Sequence, residues 1–227
     1  MLRFLCDAPV DSTPTLPELR GTYVVGDVLA NADARLLRTI APNADCVNLY
    51  GATETQRAVA YHRVSADKSK ASSTVPLGIG IPGVQLVVLD ENHRRVGVGD
   101  VGEIHVRSHA LARGYLGDRE LTAAKFVTNP FTGDSEDRLY KTGDLGRYRA
   151  DGSVEFAGRK DDQVQIRGVR VEPGEVQVVL SEHQLLARCA VIAVGSAPDC
   201  RLVAWCVPTN KERPPSESDL RAYLHQN

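Results

Sequence analysis

The sequence predicts an α/β fold built in parts, and three patterns carry that prediction. Residues 19–54 read strand, helix, strand. Residues 84–158 hold short β segments split by turn signals, and the stretch after Gly158 reads as a strand pair, a helix, two strands and a last helix.

Taken in order, the apolar run TYVVGDVL gives a first strand, and the stretch around Ala32 to Ile40 has helical spacing. CVNLYGATET then leaves a strand for a turn, which completes a βαβ unit of a larger sheet. Residues 65–75 are rich in Ser, Lys and Ala without periodicity and read as an exposed loop. VQLVVLD, GEIHVRS, LYKTGDLGRY and GSVEFAG follow as strands of a small, barrel-like β subdomain over about 76–158. QVQIRGVRV reads as a strand pair, PGEVQVVLSEH as a helix that Pro173 suits in its first turn, and CAVIAVG and LVAWCVP as strands. The last helix, SESDLRAYLHQN, has Ser216 or Ser218 as its cap, and no third layer follows to cover the sheet.

Composition narrows the function. The 27 basic and 29 acidic side chains leave no basic surplus for binding a phosphate backbone, so nucleic acid is not an expected partner. The five cysteines, Cys6, Cys46, Cys189, Cys200 and Cys206, are scattered and form no C-x-x-C pair; they read as buried free thiols rather than a disulfide framework or zinc site. The opening MLRFLCDAPV is too short for a secretory signal, and no apolar run reaches the length of a membrane span. A cytoplasmic location and no membrane partner are expected. The six histidines, His62, His93, His105, His109, His183 and His225, show no metal spacing and read as structural or exposed.

GIGIPG at Gly78 to Gly83 matches the dinucleotide pattern G-x-G-x-x-G literally. That fingerprint needs a strand before it and a helix opening within it, whereas here a strand follows. NLYGATET is the stronger local signal. Gly51 permits a sharp turn at a strand's C-terminal end, where α/β sheets hold ligands. Thr53 and backbone amides suit a phosphoryl oxygen, Glu54 suits a Mg²⁺ ion bridging phosphates, and Tyr50 offers a face to a purine. A plain turn with Thr53 and Glu54 solvated is the competing reading.

GEIHVRSHALARGYLG, LYKTGDLGRY and GRKDDQVQIRGVRVEPGEV follow in that order. Together with NLYGATET they resemble the acyl-adenylate-forming superfamily, in particular adenylation domains of nonribosomal peptide synthetases. VVGDVLANAD, NLYGATETQRAVAYHRV and ELTAAKFVTNPF resemble more narrowly the adenylation domain of α-aminoadipate reductases. The likeness spans about Leu19 to Leu224 and implies a division into 1–158, the C-terminal part of a large AMP-binding domain, 159–161, a hinge, and 162–227, a small domain.

The resemblance implies roles residue by residue. Tyr50 would stack on adenine, Thr53 would contact the α-phosphate, and Glu54 would help bind Mg²⁺, these last two being the catalytic pair. Asn48 and Gly51 would complete the nucleotide site. Asp144 would accept both ribose hydroxyls, Arg159 would reach ribose or phosphate, and Asp161 would be the hinge. Arg167 and Gly168 would line the tunnel for a phosphopantetheine arm. Tyr23, Val25, Leu49, Arg57 and Ala58 would border the acyl pocket, with Arg57 holding a second carboxylate of a substrate such as aminoadipate; a surface arginine on a helix after the turn is its alternative. ATP or AMP, Mg²⁺ and phosphopantetheine on a partner carrier domain are the implied cofactors, and a carboxylic or amino acid is the implied substrate.

The pattern is not complete. The phosphate-cradling loop expected upstream and the lysine of an NGK-type loop expected downstream are not in the sequence, and Gln165 stands where a lysine is usual. The expectation is therefore a truncated fragment, inactive in adenylation alone and completed by a missing N-terminal half. The alternatives are a non-catalytic nucleotide- or carrier-binding module and a remnant without independent activity.

Overall fold

The computed structural model describes residues 15–64, 74–161, 163–166, 169–195, 200–210 and 212–226. The chain forms two compact units, Met1–Lys160 and Asp161–Asn227. Arg167, Gly168 and most of the Ser-rich loop at 65–73 lie outside the described residues.

In the first unit, β1 (Gly21–Val25), α1 (Asn31–Ile40) and β2 (Asp45–Gly51) make a βαβ element whose two strands pair in parallel. The apolar run is cut at Val25 because Gly26 takes φ +95°, which ends the strand. Helix α1 buries Ala34, Leu37 and Ile40, three positions on one helical face, and Ala34 and Leu37 pack with Leu29, Cys46 and Val75. β3 (Ala58–Arg63) and the two-residue β4 (Ile79–Gly80) extend this sheet antiparallel, in the order β1-β2-β3-β4.

The GIGIPG glycines belong to this packing. A Cβ on Gly78 would lie 1.8 Å from the Tyr61 carbonyl oxygen, and one on Gly80 would lie 2.3 Å from that of Val84. Backbones cross too closely there for any side chain, and a strand follows, as the sequence predicts.

The second sheet holds β5 (Val84–Leu89), β6 (Val101–Ser108), β8 (Arg138–Tyr148) and β7 (Phe126–Thr128), with β9 (Val154–Arg159) also on β8. β7 pairs with residues 138–140 of β8 and β9 with residues 144–148, so one long strand serves two short partners along the same edge. Val88, Ile104, Val106, Tyr140 and Val154 are essentially inaccessible and form the main core together with Val59 and Ala60 of the first sheet. Before β7 runs α2 (Arg119–Lys125), capped by the Asp118 carboxylate, which accepts from Leu121 N at 2.8 Å. RELTAAK gives seven helical residues, too few for a periodic signal.

In the second unit, β10 (Val164–Ile166) and β11 (Val169–Val171) pair antiparallel, α3 (Pro173–Ser181) opens on Pro173, and β12 (Leu186–Val194) pairs with β13 (Arg201–Pro208). One face of that pair packs on α3 and on α4 (Glu217–Gln226) around Leu180, Leu186 and Val191. The other face leaves Ile192, Trp205 and Val207 about half exposed. Ser216 rather than Ser218 caps α4. Its hydroxyl accepts from Asp219 N at 3.2 Å, and Asp219 Oδ2 accepts from Ser216 N at 3.1 Å. Among the described residues no helix is long and apolar enough to cross a membrane.

Candidate functional site

β2 ends in a constrained turn. Gly51 pairs with Ala58, and a Cβ at Gly51 would meet the Arg57 carbonyl oxygen at 2.5 Å, so glycine is the residue that lets the chain double back. Thr53–Thr55 then forms one 3₁₀ turn, ended by Gln56 in the left-handed region at φ 61°. The Thr55 hydroxyl holds this turn. It accepts from Ala52 N at 2.9 Å and lies 2.8 and 2.9 Å from the carbonyls of Ala52 and Arg57, to which it donates its single proton.

The turn sends Thr53 outward and Glu54 inward: Thr53 is exposed and Glu54 is buried. A buried carboxylate needs donors. Tyr115 supplies one, donating its hydroxyl to Glu54 Oε1 at 2.7 Å, while Ala112 N donates to the Glu54 carbonyl at 2.8 Å. The ARGYL segment is thus strapped onto the turn. Tyr115 is a site residue that the residue-by-residue reading missed, although its motif was recognised.

Asp144 is aimed by an irregularity in β8. Glu103 pairs with Leu145 and His105 with Lys141, so residues 142–144 face the single residue Ile104. Such a bulge redirects side chains. Thr142 makes it tenable: its buried hydroxyl donates to the Ile104 carbonyl at 2.7 Å and accepts from Asp144 N at 3.0 Å. Gly143 at φ +77° provides the bend.

The Asp144 carboxylate then meets two partners. Tyr50 donates its hydroxyl to Oδ2 at 2.5 Å, and Arg159, the register partner of Asp144 on β9, makes an ion pair with Oδ1. Tyr50 also packs on the main core, and burial first, then the Asp144 charge, push its hydroxyl well above the usual tyrosine range. Tyr50 is therefore a neutral donor at every physiological pH. Next to Arg159, Lys160 closes the strand end, its N–H donating to the Gly143 carbonyl at 2.9 Å and its ammonium lying 3.3 Å from Glu103 Oε2.

The structure brings Tyr50, Asp144 and Arg159 into one cluster and Thr53 and Glu54 into the adjoining turn. Asn48 lies inside, 2% exposed, donating from Nδ2 to the Pro76 carbonyl at 2.9 Å, and its Oδ1 has no hydrogen-bond partner among the described residues. Parallel pairing sets Val25 beside Leu49, and alternation puts Tyr23 on the same face; Tyr23 and Val25 are 71% and 60% exposed, so this face is open. Ala58 pairs with Gly51. Arg57 is exposed and precedes β3 directly, so the helix after the turn is corrected to a strand, held in that form by antiparallel pairing with β2. Asp161 is exposed and is the first residue of the second unit.

A cavity of about 810 Å³ lies at the ends of β5, β6 and β8, lined by Gln85, Arg107, Arg113, Glu136, Asp137 and Arg138 among others. Among the described residues, none of the predicted site residues lines it. Its Arg107 is already held in a two-point pair by Asp137, at 2.9 and 2.7 Å. Among the described residues no group of three or more His, Cys, Asp or Glu could hold a metal ion by itself.

Comparison with known proteins agrees with this architecture. The family model described as AMP-binding enzyme matches residues 1–116, about half of the chain. The L-2-aminoadipate reductase of Saccharomyces cerevisiae is 41% identical over 226 residues, covering 87% of this chain and 16% of that protein. The L-2-aminoadipate reductase large subunit of Eremothecium gossypii is 37% identical over 232 residues, covering 89% and 17%. The chain thus spans about a sixth of the length of these curated relatives. Among solved structures, NpsA-ThdA, an artificially fused adenylation-PCP di-domain NRPS from Klebsiella oxytoca, superposes with a TM-score of 0.81 at 26% identity, covering 98% of this chain and 40% of that one. With the matched family model, the α/β fold and these relatives together, the chain belongs to the AMP-binding enzyme family of adenylate-forming proteins.

Proposed function

We propose that the chain is the part of a carboxylate-adenylating enzyme that grips the nucleotide through Asp144, in a reaction converting a carboxylic or amino acid and ATP to an acyl-adenylate and pyrophosphate, with transfer to a carrier thiol. The observation that carries the reading is the meeting of Tyr50, Asp144 and Arg159, which come from β2, the β8 bulge and β9. A carboxylate accepts at about four lone-pair positions, so the Tyr50 and Arg159 contacts do not by themselves exhaust it. Two vicinal ribose hydroxyls suit such an acceptor.

In this reading Arg159 orients Asp144, Tyr50 positions it from the other side and presents its ring to the base, and Thr53 donates to an α-phosphate oxygen from its exposed place at the strand end. Glu54 fits a Mg²⁺ ion that keeps water and phosphate oxygens as its other ligands, a pattern that needs only one or two carboxylates. When bound, the ion offsets phosphate charge. Glu54 is buried and fixed by Tyr115, so it holds its place before any ligand arrives. The domain assignment is 1–158 and 162–227 about a hinge at 159–161, with Asp161 as its pivot; for Arg167 and Gly168, outside the described residues, the carrier-arm role is the one the family resemblance implies. The substrate face is the open side of β1 and β2 at Tyr23, Val25 and Leu49, with Arg57 receiving a second carboxylate; the aminoadipate reductase relatives support a dicarboxylic amino acid there.

The test is a titration of the purified chain with ATP·Mg and with its 2′,3′-dideoxy analogue, read by hydrogen exchange at residues 48–54 and 142–147. ATP is expected to slow exchange at both places and the dideoxy analogue to do so only at higher concentration. Asp144→Asn should abolish the difference between them. Equal protection by the two nucleotides in the unsubstituted chain refutes the ribose grip.

A further inference from the structure

The cysteines of the second unit are placed by strand register, not by sequence spacing. Cys189 of β12 and Cys206 of β13 are direct partners across the antiparallel pair. Opposed residues in such a pair project from the same face, with Cα atoms about 4.5 or 5.5 Å apart. Both values lie within the roughly 4.4–6.8 Å that a disulfide spans. Both side chains pack at the edge of the cluster around Leu180, Leu186 and Val191, and both are reduced thiols. The two remaining described cysteines are placed differently: Cys46 is buried in the first unit, and Cys200 precedes β13.

We propose that Cys189 and Cys206 are a redox-active dithiol that closes to a cross-strand disulfide by exchange with a low-molecular-weight disulfide. Cys189 Sγ lies 3.2 Å from the Ser181 hydroxyl, which gives its own proton to the Gln177 carbonyl at 2.7 Å. Burial, and then Cys189 itself, push the Cys206 thiol up, which suits Cys206 to the resolving role with Cys189 as the attacking sulfur.

The Cys189 thiol loses its proton, and its sulfur attacks one sulfur of the small disulfide. The S–S bond breaks, one small thiolate leaves, and that thiolate takes up a proton. The Cys206 sulfur, after losing its own proton, attacks Cys189 Sγ and expels the second small thiolate, which is protonated in turn. Two electrons pass from the dithiol to the small disulfide, and two small thiols are released. No other oxidant is required.

The experiment treats the purified full chain with oxidised glutathione, alkylates the remaining thiols, and maps peptides without reductant. The expected product joins the Cys189 and Cys206 peptides with the loss of two hydrogens, and dithiothreitol reverses it. Cys200→Ser should give the same cross-link, while Cys189→Ser and Cys206→Ser should each give none. A cross-link from Cys200 to either partner, or separate glutathione adducts on Cys189 and Cys206 with no bond between them, overturns the proposal. Because the wild-type map alone separates these products, failure of a serine variant to fold does not blunt the test.

Discussion

Thr142→Val is the most direct probe of how the candidate site is held. Valine matches threonine in shape but carries no hydroxyl, so the change removes two bonds at once: the donation to the Ile104 carbonyl at 2.7 Å and the acceptance from Asp144 N at 3.0 Å. Thr142 is 4% exposed, so water cannot freely replace the hydroxyl. A buried backbone group left without its partner costs about 1–3 kcal/mol, and two groups sharing one small space put the expected loss at about 2–4 kcal/mol. Thr142→Ser keeps the hydroxyl and should lose less than half as much. The assay is native-state hydrogen exchange at residues 104 and 142–147, with urea unfolding followed by circular dichroism. The cost should appear as faster exchange in the bulge, and the chain should also lose its discrimination between ATP and the dideoxy analogue. If valine and serine behave alike, the hydroxyl does not hold the bulge and Asp144 is aimed by something else.

Gly51→Ala should destabilise the first unit by about 1–3 kcal/mol, since the new methyl meets backbone rather than a movable side chain; a urea midpoint unchanged from wild type refutes this. Tyr50→Phe should weaken nucleotide protection without unfolding the chain. Its stability cost has a defined pH window: because the Tyr50 hydroxyl is pushed up on folding, the stabilisation is complete below the unfolded value near about 10 and is lost as pH rises beyond it. The wild-type advantage over Tyr50→Phe in urea should therefore be flat from neutral to mildly alkaline pH and shrink above that, and an advantage that stays constant or grows at strongly alkaline pH contradicts the assignment. Closing Cys189 to Cys206 should raise the stability of the second unit by about 3 kcal/mol on the chain-entropy model for a loop of roughly fifteen residues, read from the urea midpoint of Trp205 fluorescence with and without dithiothreitol.

The architecture was legible where the signal is local. The βαβ element, the strands at 84–89, 101–108, 138–148 and 154–159, and the strand-helix series after 160 all show in apolar period and turn residues. The misses have separate causes. β3 follows the 3₁₀ turn so closely that AVAYHR looked like the continuation of a helix, and α2 is too short to display a period. Cys189 and Cys206 carried no sequence signal because their pairing depends on the register of β12 against β13.

The same distinction separates the two glycine-bearing motifs. GIGIPG matches a ligand-binding pattern in letters, but its glycines are needed where the backbone passes the carbonyls of Tyr61 and Val84, so the constraint is wholly internal. In KTGDL the glycine bends a strand whose bulge is stabilised by the threonine before it, and the product of that bend is an aspartate pointed at Tyr50 and Arg159. A pattern of letters specifies a nucleotide site only when the backbone it forces delivers a side chain outward to where a ligand sits. Asp144 meets that condition through register, which is why its partners, Tyr50 at the end of one sheet and Arg159 on the last strand of the other, were nameable from the motifs while the bulge that joins them was not.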